Sequence, residues 1–171
     1  MVPGNFKFAE GFQVVSAFVP VDFNAAAQTG DWVSLENYQR CACILFGAVG
    51  SAGTDLTVTL EQATDVSNSL SDNKALNFTR IDAKEGASLA AIGQYTTTTQ
   101  TAANTYTTTN NEAKQQIYVI DFAAEELDIA NDFDCLRMTV NAGNAAKVIA
   151  GMYILYGSKY GTDPLPSGIV D

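Results

Sequence analysis

Short runs of alternating apolar and polar residues recur along this chain, and no segment carries the longer period of an amphipathic helix. In the clearest run, residues 55–63, the apolar residues Leu56, Val58 and Leu60 are separated by polar ones. Successive side chains of a β-strand point to opposite faces, so this pattern predicts a strand with one buried face. Further strand-like runs are residues 13–23, 38–49, 76–81, 116–123, 135–140 and 146–156. Roughly seven or eight short strands separated by turn signals predict an all-β, antiparallel β-sandwich, jelly-roll-like in topology.

Two of these runs carry information about their place in a sheet. Residues 13–23 contain Pro20, which has no N–H to donate to a neighbouring strand, so we expect either an edge strand or a strand that breaks there. Residues 38–49 are apolar at both alternating sets of positions, which predicts a strand covered on both faces. The glycines of residues 50–53 favour a turn, and we expect the preceding strand to form a hairpin with residues 55–63.

The length of 171 residues predicts one domain. We place a β-sandwich at residues 12–159, an N-terminal arm at 1–11 and a C-terminal arm, interrupted by prolines, at 160–171. Within the sandwich, residues 95–111 are rich in threonine and contain no charged residue. Threonine favours extended backbone, so we expect an exposed two-stranded flap or long loop there, with disorder as the alternative.

The charge distribution argues against several partners. The chain has a net charge of −10, and its nine basic residues are scattered singly. Binding to nucleic acid or to an anionic membrane needs clustered Lys and Arg, so we expect neither. The longest apolar runs, residues 41–50 and 148–157, are too short to cross a bilayer, and the N-terminal residues lack the pattern of a secretory signal. We therefore expect a soluble protein made in the cytoplasm.

Residues that commonly carry catalysis are scarce. The chain has no histidine, which removes the most common general base and metal ligand. A serine, cysteine or lysine nucleophile would lack an activating base. Cys41 and Cys43 would lie on one face of a strand and, with Cys135, offer too few ligands for zinc, so we expect buried side chains. We expect no enzyme activity and no cofactor.

Carboxylates suggest two further kinds of site, each with a simpler interpretation. One acidic segment offers oxygen ligands for calcium, but its spacing does not match the EF-hand pattern, so we expect a solvated connection. Its carboxylates belong to Asp121, Glu125, Glu126, Asp128, Asp132 and Asp134. A glycoside hydrolase would need two carboxylates in one cleft, and Asp31, Glu61 and Asp121 lie in or beside strands. Trp32, next to Asp31, is a candidate for stacking on a sugar.

Aromatic and apolar residues near the two ends are candidates for contact with neighbouring proteins. Tyr153 and Tyr156 fall on opposite faces of the last strand, so one is expected in the core and the other exposed or at an interface. Tyrosine is favoured at interfaces because it buries area while keeping a polar tip. The full set of interface candidates is Phe6, Phe8, Tyr153, Tyr156, Tyr160, Pro164, Leu165, Pro166 and Ile169.

Three segments resemble small structural proteins of tailed bacteriophage virions. They are residues 36–65 (ENYQRCACILFGAVGSAGTDLTVTLEQATD), 117–140 (IYVIDFAAEELDIANDFDCLRMTV) and 153–171 (YILYGSKYGTDPLPSGIVD). The likeness rests on strand-and-turn patterns such as LEQATD and F-D-x-L-R-x-T-V, not on catalytic signatures. It implies a virion structural protein with a capsid decoration, cement or fibre-base role.

Capsid decoration is the function that this resemblance favours most. Such a protein is made in the host cytoplasm, binds the major capsid protein at the capsid surface of the virion, and stabilises the assembled shell. Two features fit this role: arms that reach onto a neighbouring subunit, and assembly into a closed homo-oligomer, most simply a trimer. The alternative is a receptor- or carbohydrate-binding β-sandwich of a head fibre or tail, which would use the Thr-rich flap and Trp32.

Overall fold

Two antiparallel sheets pack face to face in the computed structural model, which describes residues 7–24, 26–51, 55–68, 70–108, 113–143, 145–160 and 164–170. The strands are β1 (Phe12–Asp22), β2 (Gln28–Thr29), β3 (Val33–Ser34), β4 (Tyr38–Gly47), β5 (Thr57–Ala63), β6 (Lys74–Ala75), β7 (Phe78–Gly86), β8 (Thr96–Ala103), β9 (Thr105–Thr107), β10 (Gln115–Ala123), β11 (Cys135–Val140) and β12 (Val148–Ser158). Short 3-10 turns lie at Phe8–Glu10, Leu89–Ala91, Ala124–Glu126 and Ile129–Asn131. Within these described ranges, no helix has the length and apolarity needed to cross a membrane.

The strand order is that of a jelly roll. Sheet A has the order β1-β12-β4-β10-β7-β8, and sheet B has the order β2-β11-β5-β6, with β3 also pairing with β11 and β9 with β5. In chain order, β1, β2, β4, β5, β10, β11 and β12 alternate between the two sheets in the double Greek-key manner. Strands β7 and β8 extend sheet A beyond that core. The predicted antiparallel β-sandwich is therefore confirmed. The predicted β4–β5 hairpin is wrong, because the two strands lie in different sheets and their connection crosses between them.

The positions of β1 and β4 in sheet A can be compared with the patterns of their residues. β1 is an edge strand, and its pairing with β12 shifts register on both sides of Phe18, near Pro20. β4 lies in the middle of sheet A between β12 and β10. Cys41 and Cys43 both point into the core between the sheets, and Cys135 is buried as well. Burial raises the pKa of the Cys41 thiol well above its usual value.

The Thr-rich segment forms two strands that do not pair with each other. β8 adds to the edge of sheet A beside β7, whereas β9 adds to sheet B beside β5. Between them, the carbonyl of Asn104 accepts a hydrogen bond from the Leu60 N–H at 2.8 Å. The segment therefore crosses from one sheet to the other along one side of the sandwich, which corrects the expected flap. The predicted exposure of the threonines of β8 is confirmed. Residues 109–111 lie outside the described residues.

The described part of the C-terminal arm is anchored on its own domain. The Tyr38 hydroxyl donates to the Pro166 carbonyl at 2.5 Å, and the Ser34 N–H donates to the Gly168 carbonyl at 2.8 Å. Gly168 is buried close to Leu155. Residues 164–170 are therefore held by the sandwich itself, and contact of the C-terminal arm with a neighbour stays a prediction.

Candidate interaction surface

In sheet A, the outward residues of β1, β12, β4 and β10 are mostly apolar and are half-buried or exposed. Along β4, Cys41, Cys43 and Leu45 point into the core, and the residues between them point outward and are only half-buried. β10 and β12 repeat this alternation. We use the term apolar face for nine of the outward apolar side chains of β1, β12, β4 and β10. They are Val14, Ala42, Ile44, Phe46, Ile117, Val119, Ala150, Met152 and Ile154.

Strand register assembles these residues into rows across the sheet. Ile44 lies directly opposite Met152 on β12 and Val119 on β10. The adjacent row consists of Ala150, Phe46 and Ile117. Side chains directly opposite each other in neighbouring strands are in contact range. The rows therefore form one continuous surface, and at about 30 Å² of sheet per outward side chain they cover on the order of 300 Å².

The outer face of sheet B gives the contrast. Its central strands present Thr57, Thr59 and Glu61 on β5, with Arg137 and Thr139 on β11. Arg137 forms an ion pair with Glu61 at 2.8 Å. One sheet thus has the polar outer face expected of a solvated antiparallel sheet, and the other does not. Exposed apolar patches of this size frequently mark interaction sites.

Aromatic rings extend the apolar face at the N-terminal end of β1. The ring of Phe8 stacks on Phe12, with centroids 4.8 Å apart and an interplanar angle of 14°. Phe12 in turn lies 6.1 Å from the ring of Tyr156 on β12. Phe8 is 56% exposed. The three rings of Phe8, Phe12 and Tyr156 therefore lie beside the apolar face.

A hydrogen-bonded polar cluster borders the same end. Arg40 donates to the Asp121 carboxylate at 2.7 Å, and the Tyr156 hydroxyl donates to it at 2.8 Å. Burial, followed by the hydrogen bond to Asp121, raises the pKa of Tyr156. The same carboxylate raises the pKa of Arg40. Because the two charges neutralise each other, this border adds hydrogen-bonding groups without adding net charge.

A depression adjoins the other end of the face. Its volume is about 240 Å³, and its lining is almost wholly apolar. Phe46 and Ala150, which belong to the apolar face, contribute to it. The remaining apolar side chains of the lining are Pro20, Ala48, Leu89, Val148 and Ile149. A side chain from a binding partner would find a shaped apolar recess there.

The structure separates the two tyrosines of the last strand as predicted. Tyr153 is fully buried between the sheets, and Tyr156 points outward and is half-buried. The expectation that the two fall on opposite faces is confirmed. Tyr153 was also an interface candidate, and its complete burial within its own domain corrects that assignment.

The remaining interface candidates are divided between exposed and docked positions. Tyr160 and Ile169 are more than half exposed, and Pro164 is exposed. Leu165 and Pro166 are half-buried on their own domain. Phe6 lies outside the described residues. No described contact connects the candidates at the C-terminus with the apolar face.

Sequence reasoning missed most of the apolar face. Ile44, Val119 and Met152 lie at its centre, and none was a candidate for contact. The signal was present in β4, whose run of apolar residues at both alternating positions predicted cover on both faces. Sheet B covers one of those faces, and the described chain leaves the other open.

Trp32 is unsuited to stacking on a sugar in this conformation. Its side chain is 7% exposed, and the guanidinium carbon of Arg137 lies 4.5 Å from the ring centroid. A cleft of about 570 Å³ adjoins the two residues. A sugar ring would reach the indole face only after Arg137 had moved away from both the indole and Glu61.

Two of the candidate carboxylates, Glu61 and Asp121, lie on opposite sides of the molecule. Glu61 lies on the outer face of sheet B and Asp121 on the outer face of sheet A, so the sandwich itself stands between them. Asp128 is bonded to Lys74, which lowers the pKa of that carboxyl. Glu126 accepts a hydrogen bond from the Ala123 N–H at 2.6 Å. Among the described residues, no three His, Cys, Asp or Glu side chains gather as a metal site would require.

Comparison with known proteins assigns no family. No protein-family model and no curated protein sequence matches the chain. Among solved structures, the chain is similar to YomS, a protein derived from the SPBc2 prophage, with a TM-score of 0.40 and 10% sequence identity over 84% of this chain and 92% of that chain. Overlap at this TM-score does not establish a common fold.

Proposed function

We propose that this protein is a non-enzymatic structural component of a bacteriophage virion, a capsid decoration protein that binds the major capsid protein at the capsid surface. The observation that carries the proposal is the apolar face, which is half-exposed on one sheet while the corresponding face of the other sheet is polar. The resemblance of residues 36–65, 117–140 and 153–171 to virion structural proteins supports the phage context. The protein is made in the host cytoplasm and acts as a homo-oligomer on the shell.

Burial of the apolar face supplies the energy of docking. At about 25 cal/mol per Å², covering about 300 Å² contributes on the order of 7 kcal/mol before the costs of association. Those costs are of similar size, so one such face gives a modest affinity. Binding of several linked subunits to repeated sites on a shell raises the overall affinity. Because the protein binds only the assembled shell, it stabilises that state.

The charge arrangement supports an apolar contact. The chain carries a net charge of −10, yet the charged pair bordering the apolar face, Arg40 and Asp121, is internally neutralised. Docking through this face therefore depends weakly on salt, whereas docking through acidic residues onto a basic surface would weaken steeply as salt is added.

Sedimentation with particles that lack the protein tests the proposal. Wild-type protein is expected to co-sediment with the particles in a saturable way. Ile44→Asp places a charge at the centre of the apolar face and is expected to lower the affinity at least tenfold. Thr59→Asp is the matched control, because Thr59 occupies a half-exposed outward position on the central strand of sheet B, and it is expected to bind normally.

Circular dichroism establishes that both variants are folded before they are compared. Equal loss of binding in the two variants, or none in either, would contradict docking through the apolar face. Ile44→Thr offers a milder variant, since threonine is also β-branched and keeps the preference for a strand.

Carbohydrate or receptor binding is a second candidate, supported by the cleft beside Trp32. Arg137 covers the indole, so this function requires that side chain to move. Screening on a glycan array tests it. Saturable binding that is lost on Trp32→Ala would favour this candidate, and an array with no binding would reject it.

A further inference from the structure

The edge strand β1 has two unlike halves. Residues 12–16 pair with β12 in regular register, whereas two register shifts and Pro20 interrupt the second half. Proteins commonly protect exposed strand edges with such bulges and prolines, which prevent another chain from pairing there. The first half of β1 carries neither device.

The first half of β1 also lacks charge. Residues 11–21 contain no charged side chain in a chain with a net charge of −10. Val14, at the middle of the regular half, is 47% exposed. Like charges placed opposite each other destabilise a pair of strands. Pairing of this edge with the same edge of a second copy would bring no like charges together.

The composition of sheet A differs between its two edges. β1 lies next to β12, β4 and β10, which carry the apolar face, whereas the far edge consists of β7 and β8. The outward residues of β7 include Arg80 and Asp82, which form an ion pair at 2.9 Å. A strand that adds to β1 therefore continues the apolar side of the sheet, while one that adds to β8 would continue the polar side.

We propose that residues 12–16 of β1 pair in antiparallel fashion with the same residues of a second copy, about a twofold axis that passes perpendicular to the sheet at Val14. Such an axis reverses the strand direction, as antiparallel pairing requires, and leaves each sheet facing the same way. Residues directly opposite each other in a sheet share a face, so Val14 meets Val14 of the second copy. The second half of β1 then lies beyond the paired region, where its bulges twist the edge away.

The paired sheets place two apolar faces side by side on one surface. The arrangement is a twofold dimer, which replaces the threefold arrangement expected from the sequence. The pairing of β1 with a second copy does not depend on the proposed function, and only its role in docking rests on that function. A dimer with two coplanar apolar faces binds a regular shell bivalently, which raises the overall affinity without new contacts.

Cross-linking through an introduced cysteine tests the pairing. The native cysteines, Cys41, Cys43 and Cys135, are buried, so they contribute little background. Val14→Cys places two thiols opposite each other, within the range that a disulfide or a short bismaleimide can bridge. Val19→Cys is the matched control, because Val19 lies on the same strand and is more exposed, at 68%, but falls in the interrupted half.

The expected result is that Val14→Cys forms a covalent dimer at least ten times faster than Val19→Cys under mild oxidation. Equal rates, or no dimer from either variant, would overturn the pairing. Sedimentation equilibrium of the unmodified protein adds a second measurement. The mass is expected to rise with concentration towards twice the chain mass of 18.2 kDa, and a persistent monomer or a trimer would overturn the proposal.

Two outcomes with wild-type protein separate this inference from the proposed function. Val14→Asp is expected to remain monomeric, and it tests the pairing alone, because Val14 also belongs to the apolar face and its loss would weaken docking directly. Wild-type protein that binds particles but does not dimerise would overturn the pairing alone. Wild-type protein that dimerises without binding particles would support the pairing and contradict the capsid role.

Discussion

The hydroxyl group of Tyr153, on β12 of sheet A, accepts a hydrogen bond from the backbone N–H of Met138, on β11 of sheet B, at 2.8 Å. Met138 lies between the parts of β11 that pair with β2 and with β3, where no strand continues the ladder. The tyrosine hydroxyl takes the place of a backbone acceptor for the Met138 N–H, while the Met138 carbonyl accepts from the Gly30 N–H at 2.9 Å. Gly30 makes room for it, because a Cβ atom at that position would lie 2.4 Å from the hydroxyl oxygen.

Removing this hydroxyl is expected to destabilise the sandwich. Tyr153→Phe leaves the buried Met138 N–H without its acceptor, and we expect the free energy of unfolding in urea to fall by about 1–3 kcal/mol. Gly30→Ala is expected to cost at least as much, because its Cβ would clash with the hydroxyl and would also lie 2.9 Å from the Met138 carbonyl oxygen. The double variant should lose less than the sum of the two, since Phe removes the clashing oxygen. Strictly additive losses would contradict the contact.

Neighbouring residues of β4 should differ sharply in their contribution to stability. Leu45 is 2% exposed in the core, so Leu45→Ala is expected to lower the free energy of unfolding by about 2–5 kcal/mol. Ile44 points outward onto the apolar face, and for Ile44→Ala we expect a loss below about 1.5 kcal/mol. Urea denaturation measures both. Equal losses would mean that the apolar face is needed for folding, which would weaken its assignment to docking.

The C-terminal segment is expected to stabilise the domain that holds it. Deletion of residues 164–171 removes the hydrogen bonds to Tyr38 and Ser34 and uncovers Leu155. At about 0.5–1.5 kcal/mol for each hydrogen bond, with the apolar cover in addition, we expect a loss of about 1–3 kcal/mol. Tyr38→Phe, which removes one of these bonds, should account for only part of it. An unchanged urea midpoint after deletion would show that the segment is not held in solution.

High pH should unfold the protein through its tyrosines. Burial is the largest cause of a raised pKa at Tyr38, Tyr106, Tyr118, Tyr153 and Tyr156. Folded tyrosines of this kind retain protons that the unfolded chain releases near pH 10. The stabilisation is therefore complete below about pH 10 and is lost as the pH rises further.

Urea titrations at pH 8 and at a series of values above pH 10 measure this loss. Tyr118→Phe removes one of the raised groups, whose hydroxyl also bonds to Glu85, and should make the decline less steep. A free energy of unfolding that stayed constant to pH 11 would contradict the burial of these hydroxyls.

Strand positions could be predicted because alternation of side chains is a local property. The edge position of β1 agrees with the interpretation of Pro20. The apolar run of β4 predicted cover on both faces, whereas its outward residues in the described chain are only half-buried. The partners of the strands could not be read in the same way. Residues 50–53 have the composition of a hairpin turn, yet the connection crosses between sheets, because the apolar sides of β4 and β5 bury each other across the core and not side by side.

Contacts made by backbone atoms were invisible to the sequence pattern. The carbonyls of Pro166 and Gly168 hold the C-terminal segment on the sandwich, and a carbonyl has no signature in residue type. The cover of Trp32 by Arg137 joins residues far apart in the chain. The apolar face was hidden for a different reason: outward apolar positions look like core positions until the layers are known.

Electron microscopy of particles that have been saturated with the purified protein tests the central claim most directly. The account predicts regular density for the protein on the shell, oriented so that Ile44 and Met152 face the major capsid protein and the threonines of β5 face solvent. Density in which the apolar face pointed to solvent, or shells that remained bare at saturating protein, would contradict it.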